Sequence, residues 1–201
     1  MIKTAFLTCI FFISSSLEFE YNLPINTADR RSINSMELTK IGQFGLLRKE
    51  RPGVPAHLHT GIDIKRSTKN YHEEPIFPIF EGIVISKRQD GPYAQLIIEH
   101  ENEHKFWTVY EHIAGIEVNL YEFVNPETPI ARFMNKNELN KYGWQFDHFH
   151  FEILKTQPIR IKQNRLHPER LFASHTLRCY SQEDLEKYFY HPLDFLEKYL
   201  N

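Results

Sequence analysis

Between residues 78 and 154 the chain alternates short apolar runs with turn-forming residues. Segments 78–87, 93–100, 105–113, 128–134 and 148–154 are short apolar runs at hairpin-like spacing and read as strands. Asp90-Gly91-Pro92 and Glu101-Asn102-Glu103 interrupt them as turns. The pattern predicts a mainly β fold, an antiparallel sheet or sandwich. No long helical period, Gly-rich phosphate loop or internal repeat crosses this region. Helices are predicted only near the C-terminus. Ser181 and Asp184 form a capping-box pattern, and Leu185, Tyr188 and Phe189 make an apolar stripe. Pro192 then stops or redirects the chain before a second short helix over 193–200. Residues 17–36 read as an irregular linker or N-terminal extension.

Composition narrows the class. A chain of 201 residues, 41% hydrophobic, supports one sizeable core and is too short for two large domains. A net charge of -2 provides no overall attraction to nucleic acid or an anionic membrane. The basic run Lys155, Arg160, Lys162, Arg165 and Arg170 reads as a solvated face. At the N-terminus, Lys3, an apolar run over 5–13 and Ser14 to Ser16 fit a signal peptide over 1–16, with a buried strand as the alternative. That run is too short for a stable membrane span. Removal of 1–16 would leave Cys179 as the one cysteine, excluding an intramolecular disulfide.

The candidate chemistry sits in two distant segments. His148 and His150 share a strand face if the strand is regular, while Phe149, Phe151 and Ile153 fill the other. Alone, this His-x-His also fits a solvated surface. His59 and Asp63, four residues apart with Gly61 between them, add an imidazole and a carboxylate. Two imidazoles, one carboxylate and an open fourth position form the donor set of a catalytic zinc site. Glu152, on the His150 face, reads either as an acceptor orienting a ligand or as a surface salt bridge. His57 forms a second His-x-His with His59 and could compete for metal. Tyr110 reads as a packing residue, and His100 and His104 as exposed or packing residues beside a turn.

Three blocks, "FGLLRKERPGVPAHLHTGIDI" (44–64), "TVYEHI" (108–113) and "FDHFHFEI" (146–153), resemble the signature blocks of the lysostaphin and LytM-type zinc metallopeptidases, in that family's order and approximate spacing. The resemblance covers about 41–154. It implies one Zn2+ held by His59, Asp63 and His150, with His112 and His148 as catalytic residues, in an open groove on a β-sheet. It also implies a zinc peptidase domain over 37–155, followed by a C-terminal extension over 156–201 with short helices. The expected function is a secreted or periplasmic zinc metalloendopeptidase acting on peptidoglycan peptides, without nucleic acid and with room for a regulatory protein partner. A catalytically silent wall-peptide-binding or amidase-regulating module is one alternative. A secreted metalloprotease of proteins is the other. Trp144 and Phe146 stand where relatives usually have a small-residue approach to the His-x-His, so the expected groove wall is bulkier and more apolar.

Overall fold

The computed structural model describes residues 20–200, so the predicted signal segment lies outside the described residues. Short paired segments come first: β1 (Leu47–Arg48), β2 (His57–Leu58), β3 (Ile62–Ile64) and β4 (Pro75–Ile76). The central meander is β5 (Gly82–Arg88), β6 (Gln95–Glu101) and β7 (Lys105–Glu111). Then come β8 (Phe123–Val124), β9 (Ala131–Arg132), α1 (Lys136–Tyr142) and β10 (Phe149–Leu154). The C-terminal part holds β11 (Ile159–Arg160), β12 (Phe172–Ala173), α2 (Gln182–Tyr188), β13 (Phe189–Tyr190) and α3 (Pro192–Leu200).

The main sheet is antiparallel and seven-stranded, in the order β13-β10-β7-β6-β5-β8, with β3 also paired to β10. The mainly β expectation is met. Strand β10 is the pivot, because β7 occupies one of its edges while β3 and β13 share the other. Strands paired on both edges and packed on both faces carry few solvated side chains. All six residues of β10 are accordingly buried, His150 and Glu152 included.

The two faces of the sheet meet different layers. Phe149, Phe151 and Ile153 join Leu96, Ile98 and Tyr110 in the larger apolar cluster. Tyr21, Leu23 and Ile25 complete that cluster from the N-terminal side, and Phe195, Leu196 and Leu200 from α3. Each fully buried side chain of this size stabilises by about 1.5–3 kcal/mol. The segment read as an irregular linker is thus irregular but embedded: Asn22 N–H donates to Ile79 O, and Ile25 bridges Ile76. On the other face, Ile97, Trp107, Val109 and Leu154 pack under Phe172, Cys179, Leu185 and Tyr188.

Several local expectations hold in detail. The capping box at Ser181 and Asp184 starts α2. Pro192 opens α3, where its missing N–H costs nothing. Helix α1 was not anticipated, although Asn135 and Glu138 form a complete capping box there. The strand expected over 128–134 shrinks to Ala131–Arg132, paired with β4 and bridged through Arg132 to Ala114. Among the described residues, no helix is long and apolar enough to cross a membrane.

His100 is fully buried, stacked on Phe106, with Nδ1–H donating to Glu81 O and Nε2 accepting from the Thr108 hydroxyl. Burial pushes its pKa down to about 4 from an ordinary 6.5. The unfolded chain therefore takes up this proton first as pH falls. Stability supplied by the neutral ring is complete above pH 6.5 and lost progressively toward pH 4, by about 3 kcal/mol. Denaturant melts of wild type and His100→Gln across this window test the effect. The variant should show a shallower decline, and parallel declines would contradict the assignment.

Candidate functional site

The site grows from the register between β3 and β10, where Asp63 lies directly opposite His150. Directly opposite residues on neighbouring strands share a face with Cβ atoms about 5 Å apart. Gly61 permits this approach. A Cβ there would lie 2.2 Å from Phe151 O and 2.8 Å from His150 Cε1. Gly42 does the same behind the carboxylate, where a Cβ would meet Asp63 Cβ at 2.7 Å.

His59 then reaches the same point from the turn before β3. Its Nε2 lies 2.9 Å from His150 Nδ1 and 3.1 Å from Asp63 Oδ1, and His150 Nδ1 lies 3.1 Å from the same oxygen. These three donor atoms make a nearly equilateral triangle. Tetrahedral zinc with bonds of about 2.0–2.1 Å has ligand–ligand edges of about 3.3 Å, so the donor set fits. Among the described residues, this buried trio is the group of His, Cys, Asp and Glu side chains placed to hold a metal ion. His57 lies outside it, its Nδ1–H donating to Pro55 O.

Partners behind the donors fix their orientation. His59 Nδ1–H donates to Gln43 O at 2.8 Å, which leaves Nε2 as the lone-pair atom. His150 Nε2 lies 3.0 Å from Glu152 Oε1, which turns Nδ1 toward the trio. Arg48 Nη2 donates to Asp63 Oδ2 at 2.7 Å, leaving Oδ1 for the trio. The carboxylates Asp63 and Glu152 and the guanidinium of Arg48 touch the donors directly, so neutral imidazoles leave an excess negative charge that a cation balances. Burial opposes ionisation of Asp63, yet hydrogen bonds with His150 and His59 outweigh it and hold the carboxyl far below its usual range. Burial also opposes charge on His150, but Asp63 and Glu152, one at each ring nitrogen, push its pKa up to about 10.

Glu152 is buried, which removes the surface salt-bridge reading. Besides His150 it accepts from the hydroxyls of Thr60, Ser174 and Thr176, the last at 2.7 Å. Burial raises the cost of its charge, and these partners overcome that cost to bring the pKa down to about 2. Ser174 and Thr176 belong to the C-terminal extension. No sequence signal linked them to residue 152.

The two candidate catalytic histidines flank the trio. The strand begins at Phe149, so His148 is not a strand residue as expected but occupies the preceding bend. Arg66, which donates to Asp147 Oδ1 and to Met134 O, anchors that bend. His148 Nε2 comes within 3.7 Å of Asp63 Oδ1. His112 follows β7 with φ +64, an uncommon backbone for a non-glycine residue, and its Nδ1–H donates to Pro92 O at 2.6 Å. That bond leaves Nε2 as an acceptor. The two rings lie 5.5 Å apart, edge to face. Burial lowers His112 below the ordinary imidazole value and takes His148 down to about 4. Phe146 packs on His112 at 4.9 Å, beside the trio, while Trp144, 47% exposed, stands edge-on to Tyr71. Tyr110 is fully buried against Phe149 and Phe151, a packing residue. Asp147 pairs with Arg66 and stays outside the trio.

Comparison with known proteins decides the family. The model of peptidase family M23 matches residues 57–164, a span that contains His59, Asp63, His112, His148 and His150. The chain belongs to peptidase family M23. This membership supports a metallopeptidase. No curated protein matches the chain. Among solved structures, the M23 chain is similar to the antimicrobial peptidase lysostaphin from Staphylococcus simulans, with 14% identity, a TM-score of 0.51, and 90% of this chain and 55% of that chain covered. It is also similar to cbpa from L. salivarius REN, with 11% identity, a TM-score of 0.53, and 90% and 97% covered. A zinc-containing peptidase from Vibrio cholerae matches with 25% identity and a TM-score of 0.46, over 68% of this chain. The M23 chain spans 37% of that protein's length.

Gly61→Ala tests the close approach that builds the trio. The added methyl group forces β3 away from β10 and should destabilise the fold by about 1–3 kcal/mol. Zinc affinity should fall by about tenfold or more as the ligands separate. Thermal melts and zinc titration with a competing chelator measure both, and an unchanged zinc affinity would contradict the geometry.

Proposed function

We propose that this M23 chain is a secreted zinc metalloendopeptidase that hydrolyses peptide bonds in the stem peptides or cross-bridges of bacterial peptidoglycan. The single observation that carries the reading is the buried trio of His59 Nε2, Asp63 Oδ1 and His150 Nδ1, with two further histidines beside it. An intact donor set favours catalysis over a silent binding module. The peptide substrate follows from the family match, and the wall as its source follows from the resemblance of the three sequence blocks to the lysostaphin type. Secretion follows from the N-terminal sequence.

His59, Asp63 and His150 would hold the zinc. When bound, zinc supplies Lewis acidity, which polarises a carbonyl and makes water acidic near neutral pH. Hydrolysis adds water across the scissile C–N bond, so one proton must travel from the attacking water to the leaving nitrogen. His112, with Nδ1–H fixed on Pro92 O, presents Nε2 to hold and pass that proton. His148, beside Asp63, is placed to share the task or to donate N–H to the oxyanion of the tetrahedral carbon. Glu152, Arg48 and Gln43 keep the donors in one orientation throughout.

Purified protein should contain about one zinc per chain, and His150→Ala should lose both metal and hydrolysis. His112→Ala and His148→Ala should each retain zinc and lose about 10²-fold or more in rate. Metal analysis, together with mass analysis of fragments released from purified peptidoglycan, tests the reading. A wild-type protein without zinc affinity would overturn it.

A further inference from the structure

The carboxylate behind His150 is held mainly by hydroxyl groups. Each hydroxyl has one proton to donate, and for Thr60, Ser174 and Thr176 the nearest acceptor is Glu152. The alternatives are longer: Thr60 Oγ1 lies 3.3 Å from Thr176 Oγ1, and Thr176 Oγ1 lies 3.2 Å from Ser174 Oγ. With His150 Nε2 at 3.0 Å, four donors converge on one carboxylate, about as many as its lone pairs accept. Ser174 serves Oε2, and the other three serve Oε1.

Two of these donors come from the C-terminal extension, and that segment is anchored from both sides. His175, between the two hydroxyl residues, is buried, stacks on Tyr188 at 4.3 Å and donates Nε2–H to Gln157 O at 3.0 Å. A little further on, Cys179 O accepts from Leu58 N–H at 2.8 Å, next to His59. The extension is thus tied to both segments that carry the metal donors. It reaches β10 through Glu152, and the approach to β3 through Thr60 and Leu58.

Partners that orient a metal-bound histidine govern metal affinity along with the ligands themselves. Glu152 performs that task only while its own oxygens are fixed, because a buried carboxylate that loses a donor must rotate or recruit water. We propose that Ser174 and Thr176 are positioning residues of the zinc site, which set zinc affinity by locking Glu152 against His150. The proposal rests on reading the trio as a zinc site. It makes the extension part of the metal centre, so zinc binding and the docking of 174–176 stabilise each other by linkage.

Zinc titration against a competing chelator, cobalt substitution and melts of the metal-free protein follow wild type, T176V, T176S and S174A. T176V keeps the shape of the side chain without its hydroxyl, and should bind zinc about tenfold or more weakly. T176S keeps the hydroxyl and should stay close to wild type. The visible bands of bound Co2+ should shift in T176V and not in T176S, as His150 loses its fixed orientation. Zinc should slow amide hydrogen exchange over 174–181 more in wild type than in T176V. S174A, which removes the Ser174 donor to Oε2, should behave as T176V does, and it carries the test if T176V fails to fold. A lower melting temperature with wild-type zinc affinity, or equal losses in T176V and T176S, would overturn the proposal in favour of a packing role. Zinc affinity that depends on Thr176 without cleavage of peptidoglycan would sustain the proposal and overturn the peptidase reading.

Discussion

The pairing of three-residue β3 with the first half of β10 governs the rest of the structure. It sets Asp63 opposite His150, and a slip of one residue would turn either side chain to the other face. The register is held by close backbone contact at Gly61, by burial of Ile62 and Ile64 on one side, and by the Phe149 and Phe151 rings beside them. Residues 87 positions apart in sequence thus meet at 3.1 Å. The apolar core and the candidate metal site are two faces of one strand pairing.

The second constraint is the buried charge of Glu152. A carboxylate taken out of water is tolerated only when its oxygens are fully engaged. Here Thr60 comes from the turn beside His59, while Ser174 and Thr176 come from the C-terminal extension. The extension therefore does more than cover the sheet. It closes the hydrogen-bond network that orients His150 and adds β13 to the main sheet.

Much of this was legible in the sequence because it is local. Short apolar runs between turns over 82–111 and alternation over 149–154 exposed the strands, and Ser181 with Asp184 exposed the start of α2. His59, Asp63 and His150 were legible as a set because their sequence blocks resemble those of the lysostaphin and LytM type, a resemblance that also chose His150 over His148. The missed features depend on long-range packing. Arg48 has no local mark that would send it to Asp63, and Ser174 and Thr176 look like any hydroxyl pair in a loop. The i, i+2 argument for His148 assumed a regular strand, whereas Arg66 and Asp147 hold that residue in a bend. Helix α1 escaped notice because its seven residues bury only Leu139, too little for an apolar period.

The M23 match and the trio lead to the proposal that β3, the turn before it and β10 present two imidazole nitrogens and one carboxylate oxygen to a single zinc ion. X-ray absorption at the zinc edge on the loaded protein tests it most directly. The account predicts a shell of nitrogen and oxygen at about 2.0–2.1 Å with outer-shell scattering from two imidazoles. A sulfur shell near 2.3 Å, or an all-oxygen shell without imidazole scattering, would contradict it.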